Sequence, residues 1–181
     1  MDEQQMIERL LSAPPSCLTG FAATLVSEAA EAHDTPSSTW HLTCRCGERS
    51  GRLLGYSLKD YNRDYDGPEC FLGPLAFECS QCRVVTELLD TDRHGYHAET
   101  ARLEGGIGSV KLRGQGPRQS FPCPKCQTDI ITLEVGFVFW NPEDLAELFE
   151  TDWENVFNEF LCRCQCRGCG ETSEPTDFGK L

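Results

Sequence analysis

Four short cysteine motifs constrain this chain more than any other feature of its sequence. Three have the spacing C-x-x-C and one has the spacing C-x-C; they are Cys44–Cys46, Cys79–Cys82, Cys123–Cys126 and Cys166–Cys169. We call each motif a knuckle. Two sulfurs on one short turn can converge on a single metal ion, at about 2.3 Å for zinc. A fold that uses the knuckles in this way must bring them together in pairs.

The cellular compartment determines whether such cysteines form disulfides or bind metal ions. The chain begins with an acidic segment, Met1 to Gln5, where a secretory signal would be basic, and it has no apolar run of the roughly 18 to 20 residues that a membrane span needs. These features predict a cytoplasmic protein, in which thiols stay reduced. Cysteine pairs at close spacing then indicate metal ligands.

The knuckles form two pairs along the chain. The members of the first pair are separated by 32 residues and those of the second by 39 residues, which suggests an internal duplication. We expect two structural Zn²⁺ ions per chain, with iron as the alternative metal for a four-cysteine set. The predicted ligands are Cys44, Cys46, Cys79 and Cys82 for one ion, and Cys123, Cys126, Cys166 and Cys169 for the other.

Two details of these ligand sets stay open. The C-x-C spacing of the first knuckle predicts two sulfurs on one face of a strand rather than around a turn. In the run from Leu161 to Cys166, every second residue is a cysteine, so either Cys162 or Cys164 could replace Cys166 as a ligand. The isolated Cys17 and Cys70 are expected to be small core residues.

The second pair of knuckles resembles the zinc-ribbon proteins, in which two C-x-x-C knuckles at the ends of β-hairpins hold one structural zinc ion. The resemblance covers the cysteine positions and the strands beside them. It implies a structural metal and no particular activity.

Two segments are candidates for catalysis. The Cys123–Cys126 motif has the spacing of a thiol oxidoreductase, but the β-branched and aromatic run that follows it predicts a strand rather than the helix such an enzyme requires. The segment Asp90 to His97 holds two carboxylates and two imidazoles, which could bind a catalytic metal or exchange protons. Its candidate residues are Asp90, Asp92, His94 and His97, and a polar turn is the alternative interpretation.

The expected fold is α+β, with two β-rich, zinc-ribbon-like halves related as a pseudo-repeat. We expect an N-terminal helical segment over residues 1–38, with helices at residues 2–12 and from Phe21 to about Ala32. A first zinc-binding half over 39–100 and a glycine-rich basic linker or hairpin over 101–120 should follow it. The second half, 121–181, should contain an inserted amphipathic helix.

The inserted helix is predicted to begin at Asn141, which can cap it, with Pro142 in its first turn. Its apolar residues recur at helical spacing from Leu145 to Phe160, and the opposite face is acidic. That face is either solvated or a docking surface for a basic partner. Its candidate contact residues are Glu147, Glu150 and Glu154.

The net charge of −13 bears on the choice of partner. Eight thiolates and two divalent ions would add four negative charges, which disfavours nucleic acid and anionic membranes. The sequence therefore predicts a zinc-binding module that acts through protein–protein interaction, with a basic protein as the easiest partner. One alternative is an immunity or inhibitor-like protein that blocks a basic toxin or nuclease. The other is a metal-dependent enzyme that uses the Asp90–His97 segment.

Overall fold

Nine antiparallel strands in one sheet are the main secondary structure of the computed structural model, which describes residues 3–29, 35–96, 98–99, 113–141 and 155–176. The strands are β1 Phe21–Ala29, β2 Ser37–Cys44, β3 Ser50–Ser57, β4 Phe71–Cys79, β5 Val85–Leu89, β6 Gln119–Ser120, β7 Ile131–Phe139, β8 Phe157–Cys166 and β9 Thr172–Ser173. The helices are α1 Glu3–Leu11, the 3-10 turn η1 Ser16–Leu18 and α2 Leu58–Tyr61. An N-terminal helix beside a β-rich body is compatible with the expected α+β class.

Alternating side chains explain why the central segments form strands. In β2 and in β3 every second residue is buried, so one face of each strand meets the core and the other is partly exposed. The buried members in β2 include Trp40 and Leu42, and Leu53 is fully buried in β3. The strand predicted after the third knuckle is confirmed as β7.

The sheet runs in the order β1-β2-β7-β3-β4-β5, with β6 beside β3, β8 beside β7 and β9 beside β8. It curls, so that Gly20 at the start of β1 approaches the side chain of Thr86 in β5. The concave side encloses an apolar core in which Phe77, Phe137 and Phe160 are almost completely buried. Aromatic rings meet edge to face there, as in the pair Phe137 and Phe157 at 4.9 Å.

The two halves of the chain contribute neighbouring strands to this sheet. Strand β7 pairs with β8 along one edge and with β2 and then β3 along the other, and the register of β2 on β7 pairs His41 with Glu134. The short β6, which belongs to the second half of the chain, pairs with β3 of the first half, and Ser120 lies opposite Leu54. Each half thus places its first strand against the other half.

One row of paired residues crosses four strands. Gly51 of β3 pairs with Cys79 of β4 on one side and with Ile131 of β7 on the other. Ile131 in turn pairs with Cys166 of β8. The row therefore ends at Cys79, from the first pair of knuckles, on one side and at Cys166, from the second pair, on the other. Strands β3 and β7 lie between them.

The helix predicted from Phe21 to Ala32 is wrong, because residues Phe21–Ala29 form strand β1. The alanines that favour a helix in isolation are overridden by pairing along β2, from Phe21 with Cys44 to Ala29 with Ser37. The register shifts between Leu25 and Ser27. Such a bulge interrupts the period-2 pattern that would have identified a strand.

The helix predicted over Asn141–Phe160 is wrong at its end, because Phe157 and Phe160 lie in strand β8. Both side chains are buried although they lie three positions apart. A shift in register against β7, between Val138 and Phe139, accommodates this spacing, which resembles a helical period in the sequence. Residues 142–154 of that helix and residues 101–112 of the predicted linker lie outside the described residues.

No helix in the described part of the chain is both long enough and apolar enough to cross a membrane.

A substitution at Gly51 tests the row that joins the strands. A Cβ at this position would overlap the carbonyl oxygen of Glu78 and the ring of Phe77. Gly51→Ala should lower the free energy of unfolding by about 1–3 kcal/mol, as expected for overpacking. Gly136→Ala is the control, because its Cβ would lie 3.3 Å from Leu161 and needs only a small adjustment. Equal urea midpoints for the two variants would contradict this packing.

Candidate metal centres

All four knuckles have the same backbone hydrogen bonds. In each, the first cysteine accepts at its carbonyl a hydrogen bond from the residue after the second cysteine, and its own N–H donates to the carbonyl one residue further on. The bonds to the carbonyl of the first cysteine are donated by Gly47 to Cys44 (2.8 Å), by Arg83 to Cys79 (3.1 Å), by Gln127 to Cys123 (2.9 Å) and by Gly170 to Cys166 (3.0 Å). The bonds donated by the N–H of the first cysteine go to the carbonyls of Glu48, Val84, Thr128 and Glu171. Each knuckle is therefore a turn that ends one strand and leads toward the next.

A left-handed residue directly follows the second cysteine of every knuckle. The φ angles are 94° at Gly47, 62° at Arg83, 64° at Gln127 and 77° at Gly170. Glycine adopts this conformation without steric cost, whereas Arg83 and Gln127 require the surrounding turn to hold them there. The expectation that Cys44 and Cys46 share one face of a strand is wrong, because β2 ends at Cys44 and the turn begins there. Gly47 closes this shorter turn.

The knuckles meet in the two pairs that the sequence predicts. Centre 1 consists of Cys44, Cys46, Cys79 and Cys82, and centre 2 consists of Cys123, Cys126, Cys166 and Cys169. Within each centre the four sulfurs lie within 4.8 Å of one another. No other group of three or more potential ligands occurs among the described residues.

The sulfur separations fit one four-coordinate ion. In centre 1 the Sγ atoms of Cys44 and Cys82 are 3.6 Å apart and those of Cys46 and Cys79 are 3.5 Å apart. In centre 2 the pair Cys123 and Cys169 is separated by 3.6 Å and the pair Cys126 and Cys166 by 3.4 Å. A tetrahedron with metal–sulfur bonds of about 2.3 Å has an edge of about 3.8 Å. Each centre can therefore hold a metal ion, and its four sulfurs fill a tetrahedral coordination shell.

Each knuckle contributes one buried and one exposed cysteine. The first cysteine of each motif is buried and the second is exposed, so the ion would lie near the surface with its inner ligands anchored in the sheet. A backbone N–H also points toward the ligand set, since Gly168 donates to the Sγ of Cys166 at 3.3 Å. Such donors stabilise a thiolate and orient it toward a metal.

The surroundings of two sulfurs favour the thiolate even without a metal. Hydrogen bonds from the hydroxyl and then the backbone N–H of Thr128 lower the pKa of Cys126 to about 6. At Cys79 burial raises the pKa, but donation by the backbone N–H groups of Cys82 and Gln81 outweighs it and lowers the pKa to about 7. Because the thiolate is the form that binds a metal, these hydrogen bonds favour metal binding at Cys126 and Cys79.

The other cysteines belong to the core. Cys162 and Cys164 are 1% and 0% exposed on the inner face of β8, and neither joins a centre. A hydrogen bond with Cys162, together with burial, raises the pKa of Cys164 well above its usual value. Cys166, at the end of the same strand, is the member of centre 2. The isolated Cys17 and Cys70 are also buried.

The carboxylates of the Asp90–His97 segment contact an arginine. Asp90 is buried, and its two oxygens accept from Nη1 and Nη2 of Arg113 at 3.0 and 3.2 Å. Asp92 also contacts Arg113, and its N–H donates to Asp90 at 3.1 Å. His94 uses Nδ1 to accept the N–H of Asp90 at 3.0 Å. This arrangement is a turn stabilised by the guanidinium of Arg113. His97 lies outside the described residues, as do Glu147, Glu150 and Glu154.

A polar ladder on the outer face of the sheet was not found from the sequence. It runs from His41 of β2 to Glu134 of β7 at 3.2 Å, on to Arg163 of β8 at 3.9 Å, and from Arg163 to Glu174 at 3.1 Å. His41 and Glu174, the two ends of the ladder, are 133 positions apart in the sequence, and only the register of four strands makes the ladder residues neighbours. The sole sequence signal is that His41, Glu134 and Arg163 occupy the outward positions of their strands.

Comparisons of the chain with protein-family models, with curated proteins and with solved structures found no match. The chain is thus placed by its own geometry, as a β-sheet protein with two four-cysteine clusters able to hold metal ions and compatible with a zinc-ribbon-like motif.

Removing one sulfur should remove one metal ion and much of the stability. For Cys123→Ser or Cys169→Ser we expect elemental analysis to find one ion fewer per chain and the melting temperature to fall by 10 °C or more, because structural zinc sites contribute several kcal/mol to folding. Cys17→Ser is the matched control, since it changes a buried thiol outside both centres. Equal metal content and equal melting temperatures in all three variants would contradict the ligand assignment.

The Asp90 and Arg113 contact should be structural. Arg113→Ala leaves a buried carboxylate without its cation and should destabilise the protein by about 1–3 kcal/mol, while two ions per chain remain. The His94→Ala, His97→Ala double variant should likewise keep both ions. Loss of an additional, exchangeable ion in the double variant would show instead that this segment binds a metal.

Proposed function

We propose that this protein is a cytoplasmic protein-binding module whose fold is maintained by two structural zinc ions. The observation that carries the proposal is the pair of closed four-thiolate sets. Four sulfurs at tetrahedral spacing leave no coordination position for a substrate or an activated water, which supports a structural role for the metal over a catalytic one. Zinc is preferred because paired knuckles on short turns are typical of structural zinc sites.

We further propose that the two halves are a duplicated unit that has exchanged its first strands. The residue five positions after the second cysteine pairs with the first cysteine of the next knuckle in both halves, Gly51 with Cys79 and Ile131 with Cys166. The pairing of β2 with β7 and that of β6 with β3 also have equivalent registers. His41 lies three residues before Cys44, Ser120 lies three before Cys123, and their partners Glu134 and Leu54 both lie eight residues after a second cysteine. Such coincidence of register supports a pseudo-two-fold repeat.

The proposed binding role follows from charge. The chain has a net charge of −13, and each ion bound by four thiolates adds two negative charges. Several basic groups in the described residues are already used within the molecule: Arg113 by Asp90, and Arg118 by Glu87 at 2.7 Å. An uncompensated acidic surface attracts a basic protein and speeds its association. The acidic run that contains Glu147, Glu150 and Glu154 is one contact surface for such a partner.

This function predicts salt-dependent binding of basic proteins. Immobilised zinc-loaded protein should bind a panel of small basic proteins more tightly than acidic ones of equal size, and the affinity should fall at least tenfold between 50 and 300 mM salt. Glu147→Gln, Glu150→Gln, Glu154→Gln in combination should reduce the association rate.

The matched control for that variant is Glu8→Gln, Asp64→Asn, Asp66→Asn, which removes the same charge from exposed positions elsewhere. If both triple variants bind like the wild type, the acidic run is not a contact surface. If no basic protein binds at any salt concentration, the module function is wrong.

A further inference from the structure

The outer face of the sheet holds a groove that lies between the two metal centres. The groove has a volume of about 950 Å³ and extends from Gly47 and Glu48, directly after the first knuckle, to Arg167, in the fourth. Its floor is the polar ladder of His41, Glu134 and Arg163. This volume falls within the range of ligand-binding clefts, so the groove can take several residues of an extended chain.

A smaller cavity of about 90 Å³ adjoins the groove where the ladder ends. Gly136, in the middle of β7, lies in its lining between Thr39 and Leu161. A Cβ on Gly136 would lie 3.3 Å from the Cβ of Leu161 and 3.6 Å from the Oγ1 of Thr39, so a larger side chain would fill this space. A glycine inside a strand often marks a place where another group approaches the backbone closely.

A buried hydroxyl lines this cavity without a partner. Thr176 is 6% exposed, and its Oγ1 has no hydrogen-bond partner among the described residues. Buried polar atoms are almost always paired, because an unpaired one costs free energy that folding does not recover. A hydroxyl left unpaired beside a cavity is explained when a bound group completes its hydrogen bonding.

The charges around the cavity favour a cation. Two carboxylates line it, Glu134 and Glu174, against the single guanidinium of Arg163. Arg163 lies close to Glu174 at 3.1 Å but only loosely against Glu134 at 3.9 Å, so Glu134 can accept a second cation. His41 contacts the other oxygen of Glu134 at 3.2 Å. In the wider groove arginines and glutamates are equal in number, and the acidic excess of the whole chain adds to the local field.

We propose that the groove binds an extended basic segment of a partner protein, and that one lysine side chain of this segment enters the cavity. Its ammonium group donates to the carboxylate of Glu134 and to the hydroxyl of Thr176, while its aliphatic stem packs beside Gly136 and Leu161. The flanking residues of the segment lie along the ladder between the metal centres. This inference rests on the proposed function and adds to it the contact surface and the side chain that is recognised.

The test uses the zinc-loaded full chain and an end-blocked octapeptide of alternating lysine and threonine. Its binding is measured by calorimetry at 50 mM salt and by methyl NMR of labelled threonines. We expect saturable binding with shifts at Thr39 and Thr176, and at least tenfold weaker binding of a peptide with norleucine in place of lysine. A peptide of alternating glutamate and threonine should not bind.

Three variants locate the site. Thr176→Val removes the hydroxyl with little change of shape, Gly136→Val fills the cavity and Glu134→Gln removes the charge, and each should weaken binding at least fivefold. Thr43→Val is the control, since Thr43 lies on β2 beyond the lining of both the groove and the cavity. Thr176→Val should not lower the melting temperature, because the hydroxyl that it removes has no hydrogen-bond partner among the described residues.

The outcomes separate this inference from the function on which it rests. Unchanged affinity in the Thr176→Val and Gly136→Val variants would overturn the lysine cavity. If binding is lost only when Glu147, Glu150 and Glu154 are neutralised, the partner binds at the acidic run, and the groove proposal is wrong while the module function stands. Failure of this peptide and of all basic proteins to bind would overturn both.

Discussion

The convergence of four cysteine sulfurs on a point that can hold one metal ion is the interaction on which, in our proposal, the rest of the structure depends. Metal binding by such a set contributes about 10–16 kcal/mol in peptide models, which is as large as the whole folding free energy of a typical domain. The two centres also lie at opposite ends of the row from Cys79 through Gly51 and Ile131 to Cys166. Losing either ion would therefore release one side of the central β3–β7 pair as well as its own knuckles.

The sequence predicts the centres well because their determinants are local. A knuckle needs two cysteines, a short turn and a residue that tolerates positive φ, and all of these lie within about six residues. The pairing of the knuckles follows from their order along the chain. The choice of Cys166 over Cys162 and Cys164 depends on the end of strand β8, because only the last cysteine of that alternating run lies at the turn.

The failures of prediction are tertiary in origin. Residues Phe21–Ala29 have a composition that suits a helix, but they pair with β2 on both sides of Val26, where a bulge conceals their alternation. Phe157 and Phe160 keep a helical spacing in a strand because a second bulge brings both into the core. The pairing of β2 with β7, the pairing of β6 with β3 and the polar ladder depend on register between distant segments, which no local pattern records.

The most direct test of the account is the metal content of the purified protein, measured by native mass spectrometry with elemental analysis before and after a strong chelator. We expect two zinc ions per chain, and loss of the near-ultraviolet circular dichroism signal when they are removed. A chain that carries no metal, or that keeps its fold and its melting temperature after the ions are removed, would contradict the central claim that the two thiolate centres maintain the structure.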